Sequence, residues 1–236
     1  MRSTTQLEFM QSPTTDGPTA ERRVVRADAF EWLAGNPAEP GTSVVTSLPD
    51  RSELPRLEFE AWRGFFVAAA RAVLEWIPED GVAMFHQSDI RFRGAWIDKS
   101  YLVQRAADEL GATLVFHKIV CRAPPGTPSN GRASYSHLLC FSKRSRFVPS
   151  VPGPDVLADA GYMSWSKATG ERACALACRF LIDETETRVV VDPFCGRGTV
   201  LAVANAFGFS AIGVDSSARA CRAARRLVAR MVDVAF

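Results

Sequence analysis

Toward the end of the chain the stretch VVVDPFCGRGT, Val189 to Thr199, joins an apolar run to an acid and two glycines in GxG spacing. Glycines directly after a strand let the backbone approach a ligand, and the start of the following helix offers N–H donors with no partner of their own. Gly196 and Gly198 stand in that position, with Asp192 before them. Asp215 closes the next apolar run, where a carboxylate can accept from both hydroxyls of a ribose. The loop lacks both the GK[ST] ending of a phosphate-binding P-loop and the GxGxxG spacing of a dinucleotide site. A ligand with a ribose but no pyrophosphate fits better, and S-adenosylmethionine is the leading candidate.

A second group of polar residues ends an earlier apolar run, TSVVTSLPD, in Ser47, Leu48, Pro49 and Asp50. Open α/β sheets bind ligands at the carboxyl ends of their strands, so Ser47 and Asp50 are the candidate chemical residues. His86, Gln87 and Asp89 follow the run GVAMF, and Arg91, Arg93 and Lys99 come next, where they could hold phosphates. The Pro- and Gly-rich loop from Arg122 to Ser134, with Arg132 and then Tyr135, could cover a substrate. The six cysteines form no CxxC pair and the three histidines have no zinc-site spacing, so no metal is expected. Cys174 and Cys178 share a helix face, as two small buried side chains would.

These groups need a scaffold, and the hydrophobic pattern supplies one. Apolar runs at 23–27, 43–47, 81–87, 113–121, 135–143, 189–191 and 211–214 read as strands. Between them the spacing of Phe59, Trp62, Phe66, Ala69, Val73 and Trp76 predicts a helix over 57–76 with its aromatic stripe in the core. Further helices are predicted from Trp96 to Leu110, over 171–182 and 200–207, and from Ala218 to Met231. Strands separated by helices, with two adjacent strands in mid-series, imply a doubly wound α/β sheet. With 236 residues, 47% apolar and 23% charged, one core is expected rather than two. The net charge of +2 does not by itself point to nucleic acid. No run reaches the roughly 18 apolar residues of a membrane span, and no secretory apolar segment opens the chain, so a cytoplasmic location is expected.

DPFCGRGT resembles the DPFxGxGT signature of the amino-methyltransferases that modify exocyclic nitrogens of nucleobases. The β-class DNA methylases among them are circularly permuted, with the catalytic half before the S-adenosylmethionine loop, and this chain is similar in that order over residues 24–228. The resemblance implies a class I methyltransferase fold: a Rossmann-like, mostly parallel seven-stranded sheet with one antiparallel strand. Residues 1–22 mix Ser, Thr, Pro, Gly and charges without periodicity, as a disordered arm would, and the resemblance implies a single domain over 23–236, its catalytic half 23–150 and its cofactor half 160–236. By the same resemblance Asp28, in RADAFEWL, contacts the cofactor adenine, and Ser47 to Asp50 occupy the catalytic [DNS]PP[YFW] box. Asp192, Pro193, Phe194, Cys195, Gly196, Gly198 and Thr199 form the cofactor loop, and Ser166 and Lys167 belong to a segment closing over the methionine end.

The box reads SLPD, with Leu48 for its first proline and Asp50 for the aromatic that stacks on a flipped base. The interval between YSHLLCFSK and MSWSK is also short for a major-groove reader. The implied activity is therefore methyl transfer to an amino nitrogen of a nucleobase, in RNA in preference to DNA. Arg91, Arg93, Lys99, Arg122 and Arg132 are the candidate substrate contacts. A DNA methylase with recognition supplied by a partner or by a homodimer, a small-molecule methyltransferase and a non-catalytic scaffold are the alternatives.

Overall fold

Eight strands make one sheet in the computed structural model, which describes residues 20–129, 131–165 and 168–230. In chain order the elements are β1 (Arg22–Arg26), α1 (Ala29–Gly35), β2 (Thr42–Thr46), a 3₁₀ turn (Arg51–Glu53), α2 (Phe59–Trp76) and β3 (Val82–Gln87). There follow β4 (Ile90–Phe92), β5 (Ala95–Ile97), α3 (Lys99–Leu110), β6 (Thr113–Cys121), β7 (Tyr135–Ser142) and β8 (Val156–Leu157). The series closes with α4 (Glu171–Glu184), β9 (Val189–Asp192), α5 (Thr199–Ala206), β10 (Ser210–Asp215) and α6 (Ala218–Ala224). The sheet runs β1-β10-β9-β2-β3-β7-β6-β8, and β7 alone is antiparallel to its neighbours.

Val44, Phe85, Leu139 and Val191 face a core made with α1, α2 and α3, while Val45, Met84, Leu138 and Val190 face one made with α4, α5 and α6. Central strands covered on both faces need apolar side chains at successive positions, which is why these runs do not alternate with polar residues. The α2 stripe lies where its spacing predicts, with Trp62, Phe66, Ala69 and Val73 fully buried. Cys174 and Cys178 are buried on α4, and all six cysteines are free thiols. No helix among the described residues is long and apolar enough to cross a membrane.

Four features differ from the sequence expectation. The sheet has an eighth strand because Val156 and Leu157 pair with Ile119 and Val120 at the edge, too short a run to carry a period. Trp96 and Ile97 belong to a hairpin with Ile90–Phe92 rather than to α3, which Asp98 caps by accepting from the Tyr101 amide. The last helix stops at Ala224, where the Arg22 guanidinium takes the carbonyls of Ala224 and Leu227, and Met231 lies outside the described residues. The expected arm lies outside them up to position 19, while Arg22 already belongs to β1.

Buried His86 on β3 sits 2.8 Å from the Ser136 hydroxyl of β7. Burial, with Arg122 and Lys99 nearby, pushes its pKa down to about 3, so it stays neutral in the fold. The unfolded chain takes up that proton near pH 6.5 and the folded chain does not, so stability falls as pH drops from 6.5 toward 3. Replacing His86 with Asn is expected to remove about 2–3 kcal/mol of the stability difference between pH 7 and pH 4.5. Denaturant unfolding at the two pH values checks this, and an unchanged difference would refute it.

Candidate functional site

The parallel strands present their carboxyl ends along one edge, and sheet order fixes the sequence of groups there. Asp28 follows β1, Asp215 ends β10, Asp192 ends β9 and Ser47 follows β2, four strands that are neighbours in that order. All four residues wall a single cavity of about 690 Å³. Pro49, Pro193, Phe194, Cys195, Gly196 and Thr199 complete much of the wall with Phe65 and Trp165.

Each carboxylate is set by local backbone chemistry. One oxygen of Asp28 caps α1, accepting from the amides of Phe30 and Glu31 at 2.9 and 3.2 Å. Asp215 accepts from the amide of Gly196 at 3.0 Å and from that of Ser217 at 2.7 Å, clipping the glycine loop to the end of β10. Burial raises the pKa of Asp215, and those two amides offset part of the rise. Asp192 is buried and accepts from the Thr46 hydroxyl at 2.6 Å and from the Phe194 amide at 3.1 Å. Burial pushes its carboxyl up to about 7 against the pull of those two donors, with Asp215 adding to the rise.

The two glycines do different things. Gly196, at φ 51°, offers a position where a β carbon would meet only Trp165, at 3.9 Å. Gly198, at φ 85°, lies against α6, and a β carbon there would come within 2.8 Å of Ala224. Gly198 is therefore a packing glycine, outside the cavity wall. Cys195 turns its thiol toward Gly213, and burial pushes its pKa up, so it is a packing group.

The segment after β2 is held from three sides. Leu48 is buried in the α2 core, and the Trp62 indole donates to the Pro49 carbonyl at 3.2 Å. Asp50 caps the 3₁₀ turn through the Ser52 amide, and Glu53 accepts in return from the Asp50 amide. The second Asp50 oxygen lies 3.4 Å from Lys99 Nζ. Lys99 is only 3% exposed, and burial lowers its pKa against the pull of Asp50. The sequence grouped Lys99 with Arg91 and Arg93 as a surface contact, but α3 turns it inward under this loop. Asp50 is likewise absent from the cavity wall, to which its segment contributes Ser47, Pro49, Glu53 and Leu54.

Of the other candidates, Arg91 and Arg93 are exposed on the β4–β5 hairpin. Arg122 is half-buried at the foot of its loop, 3.0 Å from the Ser88 hydroxyl, and Arg132 is exposed farther along. Ser166 and Lys167 lie outside the described residues, although Trp165, Ala168 and Thr169 on either side wall the cavity. Sequence reasoning missed Thr46, Trp165 and Arg197, whose guanidinium lies 4.8 Å over the Trp165 ring. It also missed the hairpin, whose Arg93–Gly94 turn is not one of the usual hairpin pairs and whose second strand, Ala95–Ile97, does not alternate.

The topology gathers the three scattered histidines. His137 lies 3.0 Å from Asp89 through one ring nitrogen and 2.9 Å from His117 through the other, while His86 stands across β7. Asp89, Asp98 and His137 bring ligand-type atoms within 4.8 Å of one another. Asp89 is already committed, accepting from the Lys99 amide and the Trp96 indole as well as His137. Burial alone would raise its pKa, but these donors hold it below the ordinary carboxylate range.

Strand order, one antiparallel strand and the glycine loop at the carboxyl edge define the class I methyltransferase fold, with its cofactor-type strand–loop–helix unit late in the chain. Solved structures share that architecture across most of the chain. One is PvuII DNA methyltransferase (cytosine-N4-specific), with a TM-score of 0.66 at 20% identity over 91% of this chain and 89% of that one. TTHA0409 of Thermus thermophilus, a putative DNA modification methylase complexed with S-adenosyl-L-methionine, matches with a TM-score of 0.65 at 20% identity, covering 87% and 93%. The M1.HpyAVI–SAM complex gives 0.57 at 16% identity, covering 87% and 98%. No protein-family profile and no curated protein sequence matches the chain.

The unequal glycines give a direct test of the loop. Gly198→Ala is expected to lower stability by roughly 2–3 kcal/mol, because its methyl would overlap α6. Gly196→Ala is expected to cost about 1–2 kcal/mol of left-handed strain while weakening whatever ligand occupies the cavity. Denaturant unfolding and ligand titration of both variants distinguish the roles, and interchanged effects would refute them.

Proposed function

We propose that this protein is an S-adenosylmethionine-dependent methyltransferase acting on an exocyclic amino nitrogen of a base in DNA. The observation that carries this reading is the 2.6 Å bond from Thr46 to Asp192, which holds the segment of Ser47 beside the glycine loop in one cavity. The lining suits the cofactor. Asp28, Asp192 and Asp215 offer acceptors for hydroxyls and for a cation, Ala27, Ala29 and Phe65 offer apolar surface, and about 690 Å³ is room for a molecule of that size. Two of the similar solved structures are SAM complexes, and one is a cytosine-N4-specific DNA methyltransferase. These neighbours favour DNA over RNA, the base carrier that the short interval before α4 suggested.

When bound, the cofactor supplies an electrophilic methyl on a sulfonium. The protein's part is then mostly positioning. The lone pair of an aromatic amine is delocalised into its ring, and acceptors on the two N–H bonds draw it back toward the nitrogen. Ser47, on the cavity wall, is the acceptor we assign, and the resemblance to the catalytic box adds the carbonyl of Leu48. Asp50 is assigned to holding the loop, because its carboxylate is committed to the 3₁₀ turn and to Lys99. Glu53 is the carboxylate of this segment on the cavity wall, and we assign it the proton released after transfer.

Incubation with methyl-labelled cofactor and separate pools of DNA, RNA and metabolites tests the reading. Label is expected on DNA amino groups, and Ser47→Ala is expected to lower kcat by at least roughly tenfold with cofactor affinity kept. Label confined to RNA or to metabolites would overturn the DNA assignment, and cofactor binding without any transfer would make the protein a scaffold.

Asp192 adds a pH signature. Below about 7 it is protonated in the free protein, so affinity for a cationic ligand is expected to fall by up to about tenfold per pH unit there and to level off above. Calorimetric titration from about pH 5.5 to 8.5 measures it, and Asp192→Asn is expected to flatten the curve.

A further inference from the structure

The β4–β5 hairpin belongs to neither core layer of the sheet, and its sequence IRFRGAWI sorts residues by face. Ile90 and Ile97, paired across the strands, pack on the α2–α3 core, and the Phe92 ring stacks on Phe59 at 4.0 Å and 10°. Arg91 and Trp96, the next pair, share the opposite face, with the Arg91 guanidinium 5.2 Å from the indole ring. Arg93 and Gly94 form the turn at φ 50° and 83°, the two left-handed residues of a tight hairpin. Trp96 is 41% exposed. Neither Arg91 nor Arg93 has a carboxylate within 4 Å among the described residues, whereas Arg63 and Arg71 on α2 do.

The hairpin is also tied to the loop after β2. Arg51, in the 3₁₀ turn, lies 4.9 Å over one side of Phe92, and Arg93 lies 5.2 Å from the same ring. At the hairpin's base Asp89 takes the Trp96 indole and the Lys99 amide, and the Lys99 ammonium reaches Asp50. A polyanion gripped by this ribbon is thereby set against the segment that carries Ser47.

We propose that the β4–β5 hairpin is the DNA grip of this protein, with Arg91 and Arg93 holding backbone phosphates and Trp96 giving an apolar wall beside them. Cations without acids, held against aromatic rings, match a phosphodiester backbone in charge, and a two-stranded ribbon is narrow enough for the major groove. This proposal rests on the DNA methyltransferase reading.

Fluorescence anisotropy with a labelled DNA duplex across a salt series tests it, using the full chain and the double variant Arg91→Ala, Arg93→Gly. Glycine suits the left-handed turn, and thermal unfolding with cofactor titration checks that fold and cavity survive. The variant is expected to bind DNA roughly 30- to 100-fold more weakly near 0.1 M salt, with a salt slope smaller by about 2. The charge-preserving double variant, Arg91→Lys with Arg93→Lys, is expected to keep most of the slope. Unchanged DNA binding and slope in the Ala/Gly variant would overturn the hairpin proposal while leaving the DNA reading in place. A folded wild-type protein that binds cofactor but no DNA would overturn both. Loss of RNA binding with DNA binding unchanged would also refute the hairpin assignment.

Discussion

The hydrogen bond from Thr46 to Asp192 joins the two halves of this molecule. Strands β2 and β9 are neighbours in the sheet but lie far apart in the chain, and their register brings Thr46 and Asp192 to the same edge. A carboxylate buried there loses its hydration, and the donors it finds must replace that loss. Asp192 has two, one from the glycine-loop backbone and one from the strand that leads to Ser47. Their compensation is incomplete, and burial leaves the pKa of Asp192 at about 7.

A similar economy governs the polar cluster beside β7. Asp89 accepts from the indole of the hairpin, the first amide of α3 and a histidine of β7, three elements tied to one carboxylate. Lys99 carries the linkage onward to Asp50. Such a network is costly if any donor is lost, because each partner is then left buried and unpaired. It gives the hairpin, which has little core of its own, a fixed seat.

What the sequence made legible follows from what is periodic. Val189–Val191 and Val82–Phe85 announce buried strands because both their faces are covered, and the α2 stripe announces its helix because one face is. That Asp192, Gly196 and Asp215 would meet at one edge was readable because a glycine turn leaves the first of two successive strands that each end on an acid. β8 was not, being two residues that pair only because β6 leaves an edge free. The end of α6 was hidden because an arginine side chain from elsewhere in the fold takes the carbonyl of Ala224 and that of Leu227 beyond it. The direction of Asp50 and Lys99 depends on how α3 packs against α2, a tertiary fact with no local trace. The histidines meet only because antiparallel β7 lies between β3 and β6.

The altered SLPD segment is the feature most open to being read as decay, and its surroundings argue otherwise. Leu48 fills the core beneath the loop beside Trp62 and Phe66, where a shorter or stiffer residue would leave space. Pro49 directs its carbonyl to the Trp62 indole, and Asp50 exchanges bonds with its own 3₁₀ turn while pairing with buried Lys99. Leu48, Pro49 and Asp50 are thus all engaged in fixing the backbone, while Ser47 and Pro49 line the cavity. The segment of Ser47 is thereby held rigid beside the glycine loop. In this chain position 50 is a charged anchor, Asp50 paired with buried Lys99.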